Sequence, residues 1–162
     1  EKNMKPLINV EDITEFKGHE HGGFKAQYAD VGGKIGAIQL GYNITIISPG
    51  KKSWPFHNHH ISEEMFLILE GTGLLRHGEN TFPLKKNDII ACPTGGRSLA
   101  HQIINDGATD LKYLALGTKK PFDICEYPDS DKILSRVISE DESKLWNISK
   151  GNESYDYFEG ED

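Results

Sequence analysis

The chain predicts an all-β fold, a barrel or sandwich of short strands in a single domain. Two observations carry this. Short runs rich in Ile, Val, Phe, Tyr and Thr recur along the sequence, and glycine-containing turns punctuate them. In addition, only residues 10–16 offer a helical pattern before position 125, and they fit an extended segment equally well.

In chain order, the strand-like runs are residues 23–29, 38–48, 64–69, 73–77, 88–92, 101–105 and 111–117. Turns fall at Gly32-Gly33, Pro49-Gly50, Glu70-Gly71, Gly78-Glu79-Asn80, Gly95-Gly96 and Asp106-Gly107. In residues 129–142, Ile133, Leu134, Val137 and Ile138 recur at helical spacing, which predicts one short helix. The chain divides into N-terminal strands or arm (1–34), a barrel (35–125) and a C-terminal extension (126–162). The extension is expected to pack on the barrel or on a partner subunit, with the aromatic residues 155–158 as contributors.

With 162 residues, the chain is long enough to bury a core without disulfide or metal staples. Its 36% apolar and 27% charged residues are globular values. A formal charge of −7 argues against nucleic acid and anionic membranes as partners. No apolar run approaches the roughly 20 residues a membrane span needs. Cys92 and Cys125 are too few for a disulfide framework and too far apart for a zinc ribbon, so reduced thiols and a cytoplasmic location are expected. Glycosylation triplets at Asn43, Asn147 and Asn152 carry no weight in that compartment.

The chemistry concentrates in Pro49-Gly50-Lys51-Lys52-Ser53-Trp54-Pro55-Phe56-His57-Asn58-His59-His60-Ile61-Ser62-Glu63-Glu64. Side chains alternate faces along a strand, so an extended His57–His59 points both imidazoles one way and Asn58 the other. After a turn the next strand starts with Glu64, whose carboxylate adds a ligand and offsets the charge of a dication. His101 opens an apolar run, an odd place for a histidine without a task, and is the candidate fourth ligand. Glu63 and His60 are rival ligands, and His60 falls on the opposite face of an extended segment. His19-Glu20-His21 repeats the His-x-His pattern but reads as a solvated loop, and His77 as a hairpin end.

Two stretches resemble the paired signatures of the cupin superfamily. Gly50, His57, His59, Glu64 and Gly71 follow the first, with the gap from Gly50 to His57 one residue longer than usual. Pro93, Gly95, His101 and Asn105 follow the second, with Asn87 where a glycine is usual and a lengthened loop before His101. The resemblance covers roughly residues 35–118. It implies a double-stranded β-helix, or jelly-roll barrel, with a short C-terminal extension. It also implies a metal on His57, His59, Glu64 and His101.

Three imidazoles and a carboxylate disfavour Mg and Ca and admit one divalent transition ion, Mn, Fe, Co, Ni, Cu or Zn. A small anionic or chelating organic molecule is the expected guest. Arg97, in the loop before His101, is the candidate to bind its carboxylate or phosphate. No second carboxylate or lysine is set near the ligands by sequence, so a dioxygenase-type reaction fits best, because the ion does most of its chemistry. A sugar isomerase or epimerase would need a proton shuttle. A non-catalytic binding or sensing module is the remaining alternative. A homodimer, paired through an edge strand, is expected.

Overall fold

The computed structural model describes residues 5–138, 144–151 and 154–161. It is an all-β jelly-roll of thirteen strands among the described residues: β1 (Lys17–His21), β2 (Phe24–Asp30), β3 (Leu40–Ile47), β4 (Asn58–His59), β5 (Glu64–Glu70), β6 (Thr72–His77), β7 (Asn80–Lys85), β8 (Ile89–Cys92), β9 (His101–Ile104), β10 (Leu111–Thr118), β11 (Phe122–Tyr127), β12 (Lys132–Ile138) and β13 (Lys144–Lys150). One sheet runs β1-β2-β3-β10-β5-β8, a second β13-β12-β11-β4 and a third β7-β6-β9. Every strand–strand ladder among the described residues is antiparallel.

The core lies between the first sheet and the third. Ala26, Ile47, Phe66, Ile68, Ile90, Leu111 and Tyr113 meet Leu75, Leu84 and Ile103 there. Burial alternates as the pleat demands: Phe66 and Ile68 of β5 are buried while their neighbours are half-buried. Phe66 and Tyr113 meet edge to face with ring centres 5.6 Å apart.

Two backbone positions explain motif residues. Gly71 has φ +82°, and a β-carbon there would collide with the Asp110 carbonyl. Asn87 has φ +74°, so it holds the left-handed conformation usually given to glycine. Asn tolerates that region better than other residues with side chains, which accounts for its place in the motif.

Several expectations are corrected. Residues 132–138 form β12 rather than a helix, and what remains of the expected helix, 139–142, lies outside the described residues. Ile133, Val137 and Ile138 are β-branched, and β12 finds ladder partners on both sides, β11 and β13. The His19-Glu20-His21 stretch is part of β1, an edge strand rather than a loop. β7 was not foreseen, because Pro83 interrupts its pattern. Among the described residues it pairs only with β6 and so sits at an edge, where proline is tolerated. Residues 10–16 hold only a single turn, Val10–Asp12.

Candidate metal centre

Backbone pairing brings the two histidine clusters together. His57 and His101 form an antiparallel bridge in which each N–H donates to the other's carbonyl, at 3.2 and 2.8 Å. Residues paired in this way project to the same side of the sheet. Their ring centres are 4.8 Å apart. His59 lies two residues on, in β4, which pairs with Cys125 and Glu126 of β11. Glu64 opens β5, flanked by Cys92 of β8 and Gly117 of β10.

The four side chains converge on one oxygen. Glu64 Oε2 lies 3.1 Å from His101 Nε2, 3.3 Å from His59 Nε2 and 4.0 Å from His57 Nε2. Donor atoms of His57, His59 and Glu64 all fall within 4.8 Å of one another. His101 is 3% exposed and the other three residues are half-buried, so the cluster sits at the rim of the core.

Outer contacts orient the rings. His57 Nδ1 donates to the Pro55 carbonyl at 2.7 Å. His59 Nδ1 donates to Asp123 Oδ2 at 2.7 Å, and Cys125 Sγ lies 3.2 Å from the same nitrogen. His101 Nδ1 is buried without a hydrogen-bond partner among the described residues. The Tyr127 ring stacks on His57 at 6.0 Å. Phe66 lies 5.7 Å from the His101 ring on the core side.

These surroundings set charge. Burial, helped by the neighbouring His101, pushes His57 down to about 4, so its imidazole is neutral at physiological pH. Burial opposes charge on His59 too, but its hydrogen bonds with Asp123, Cys125 and Glu64 outweigh it and raise its pKa. Burial would raise Glu64, yet His101 and His59 hold its carboxyl below the usual range. Burial raises the Cys92 thiol to about 12, with the Glu64 charge adding to the effect, so this cysteine is chemically quiet. In the metal-free protein a protonated His59 therefore lies between two carboxylates.

The donor set fits a divalent transition ion. Three imidazoles have their Nε2 atoms turned toward a shared carboxylate, an arrangement that needs protons or a cation at its centre. Two of the three already use Nδ1 as a donor, which leaves Nε2 free for an ion. Such an ion on His57, His59, Glu64 and His101 would have open positions for a ligand oxygen.

The rival candidates lie elsewhere. His60 turns toward Glu126, with Nε2 3.7 Å from its Oε1. Glu63 is exposed, and its backbone N–H donates to Thr118 Oγ1. His19 Nε2 donates to the Ser53 carbonyl at 2.8 Å, and its ring packs 4.4 Å from Trp54. His77 ends β6 at the Gly78 turn. Arg97 is held by two carboxylates, with Nη2 2.8 Å from Asp131 and Nε 3.3 Å from Glu126. Any incoming anion must compete with both. Cys92 and Cys125 are free thiols.

Sequence reasoning missed the contribution of β11. Asp123, Cys125 and Tyr127 alternate onto its inward face, and Asp123 is 1% exposed. No local signal marked it, because the apolar positions of this strand, Phe122 and Ile124, are the exposed ones.

Comparison with known proteins bears on the fold. Residues 43–117 match the Cupin domain family. A structure from Acidithiobacillus ferrooxidans, provisionally assigned as a sugar phosphate isomerase, superposes with a TM-score of 0.82. It is 28% identical, and the alignment covers 93% of this chain and 96% of that one. Auxin-binding protein 1 of Arabidopsis thaliana is 28% identical over 139 residues, 78% of this chain. An uncharacterised protein of Methanocaldococcus jannaschii is 36% identical over 83 residues, 51% of this chain. The chain spans 66% and 56% of the lengths of these two relatives. No helix among the described residues is long and apolar enough to cross a membrane. The central span of the chain, residues 43–117, is thus a cupin domain, and the fold around it is shared along nearly the whole chain with the Acidithiobacillus ferrooxidans protein.

Proposed function

We propose that the protein is a metal-dependent cupin enzyme that isomerises a small sugar phosphate. The observation that carries this reading is the convergence of His57, His59 and His101 on one oxygen of Glu64. The full-length likeness to the Acidithiobacillus ferrooxidans protein supports the substrate class. A divalent ion held by these residues supplies Lewis acidity toward a carbonyl or hydroxyl oxygen. Aldose–ketose interconversion is redox-neutral overall and needs no external oxidant. Tyr127, with its ring on His57, supplies the phenol that the sequence alone did not suggest, and burial raises its pKa. A neutral phenol is a competent proton donor. The dioxygenase-type expectation rested on the lack of a general base near the ligands; the Tyr127 phenol adds a proton donor and not that base.

A second reading, a small-molecule receptor without turnover, is favoured by the 28% identity to auxin-binding protein 1. Pairing of two copies is supported by the exposed Leu145, Trp146 and Ile148 of β13.

The test has two stages. Elemental analysis of the purified protein should find about one transition ion per chain, sharply reduced in His57→Ala and His101→Ala. Undiminished metal in both variants would overturn the ligand set. Aldose and ketose phosphates are then incubated with Mn-, Fe-, Co-, Ni- or Zn-loaded protein in D2O and followed by NMR. Interconversion supports the isomerase. Tight binding without turnover supports the receptor, and oxygen uptake by the iron form supports the dioxygenase.

A further inference from the structure

Building on that ligand set, we propose that Asp123 is the positioning residue of the metal centre, the carboxylate that dictates which nitrogen of His59 faces the ion. The three imidazoles differ in what holds their outer nitrogen. His57 has a neutral carbonyl, His101 has no partner among the described residues, and His59 alone has a carboxylate. That carboxylate is itself fixed. Asp123 Oδ1 accepts from the Ile61 N–H at 3.1 Å and the Ile124 N–H at 2.9 Å. Arg136 Nη2 lies 3.8 Å from Oδ2. A carboxylate tied at both oxygens and 1% exposed has no freedom to swing away.

Its contacts span two ligands. Ile61 belongs to the turn between His59 and Glu64, so one side chain grips the first ligand and the backbone leading to the second. A carboxylate on Nδ1 keeps the proton there, leaves Nε2 as the bare donor and raises its basicity. It also offsets part of the charge of a dication, which favours burial of the whole group.

Cys125 is the rival for the same proton, but its sulfur is 3.2 Å from Nδ1 against 2.7 Å for the Asp123 oxygen. A thiol is a weak acceptor beside a carboxylate. Asp123 lies beyond the residues that match the Cupin domain family, 43–117. The strand that follows the matched span is thus part of the centre, on this assignment.

Cobalt(II) titration of the full chain tests this, read by affinity and by the visible d–d spectrum of the bound ion. Asp123→Asn keeps an acceptor and loses the charge; Asp123→Ala loses both. Affinity should fall about 10- to 100-fold, more for alanine, and the d–d bands should shift. Cys125→Ala should stay within about twofold of wild type, as expected for a weak rival acceptor. A purely structural Asp123 would lower the melting temperature of the metal-free protein and leave the spectrum of its folded fraction unchanged; that result overturns the proposal. Loss of metal in His57→Ala with wild-type binding in Asp123→Asn sinks this inference alone, whereas a wild-type protein that takes up no cobalt sinks both readings. If the variants fail to fold, imidazole NMR of the zinc-loaded wild-type protein decides. Protonation of His59 at Nδ1 with zinc on Nε2 is expected, and the reverse tautomer overturns the assignment.

Discussion

Metal uptake should expel a proton even in mildly alkaline solution. An ordinary histidine is only about 3% protonated at pH 8. His59 differs, because hydrogen bonds with Asp123, Cys125 and Glu64 outweigh burial and keep it charged. His57, pushed down to about 4 by burial and His101, gives no proton at that pH. An ion reaching His59 Nε2 must displace the proton there, while the Nδ1 proton stays on Asp123. The expected release is therefore about one proton per ion at pH 8, with apparent affinity falling about tenfold, or ~1.4 kcal/mol, for each unit of acidification. Calorimetric titration with cobalt(II) in two buffers of different ionisation enthalpy counts the proton directly. Release near zero at pH 8 would refute the reasoning, since it would mean that His59 was already neutral.

Three further outcomes follow from the geometry. His19→Ala should keep full metal content yet lose about 1 kcal/mol of stability, because it deletes the hydrogen bond to the Ser53 carbonyl and a ring against Trp54; metal analysis and urea denaturation read the two effects. Asn87→Ala should cost about 1 kcal/mol in the same denaturation assay, while Asn87→Gly stays within about 0.5, since only the former strains a residue at φ +74°. Asp123 is ordinarily a group of pKa 3.8, and its folded value is held down to about 2 because hydrogen bonding to His59 outweighs burial. Its lowered value stabilises the fold fully above the ordinary range, and that contribution disappears as pH falls toward 2. The metal-free protein should lose about 2 kcal/mol over that window, and Asp123→Asn should flatten the profile.

Much of the centre was legible because its residues obey strand parity. His57 and His59 share a face, Asn58 takes the other and is buried against the Gly95 carbonyl, and Glu64 opens the next strand. His60 was separable for the same reason, whereas Glu64 was preferred to Glu63 on the spacing to Gly71 in the resembled signature. Where the sequence misled, periodicity was ambiguous. Ile133, Leu134, Val137 and Ile138 satisfy a helical spacing, but three of them are β-branched and β11 offers them a ladder. His19 looked solvated because β1 is an edge strand with most of its residues exposed. Asp123 was invisible as a partner of His59 because they lie 64 residues apart and no local pattern joins them.

Among the described residues, the short strand that carries His59 has a single ladder neighbour, β11, near the opposite end of the barrel sequence. On a ribosome, residues 57–64 emerge long before Cys125 and Asp123. Until those late residues arrive, the histidine lacks both its hydrogen-bond anchor and its strand. The nascent chain cannot offer a finished coordination sphere, so an ion held there would enter only at the last stage of maturation, after the barrel wall has closed.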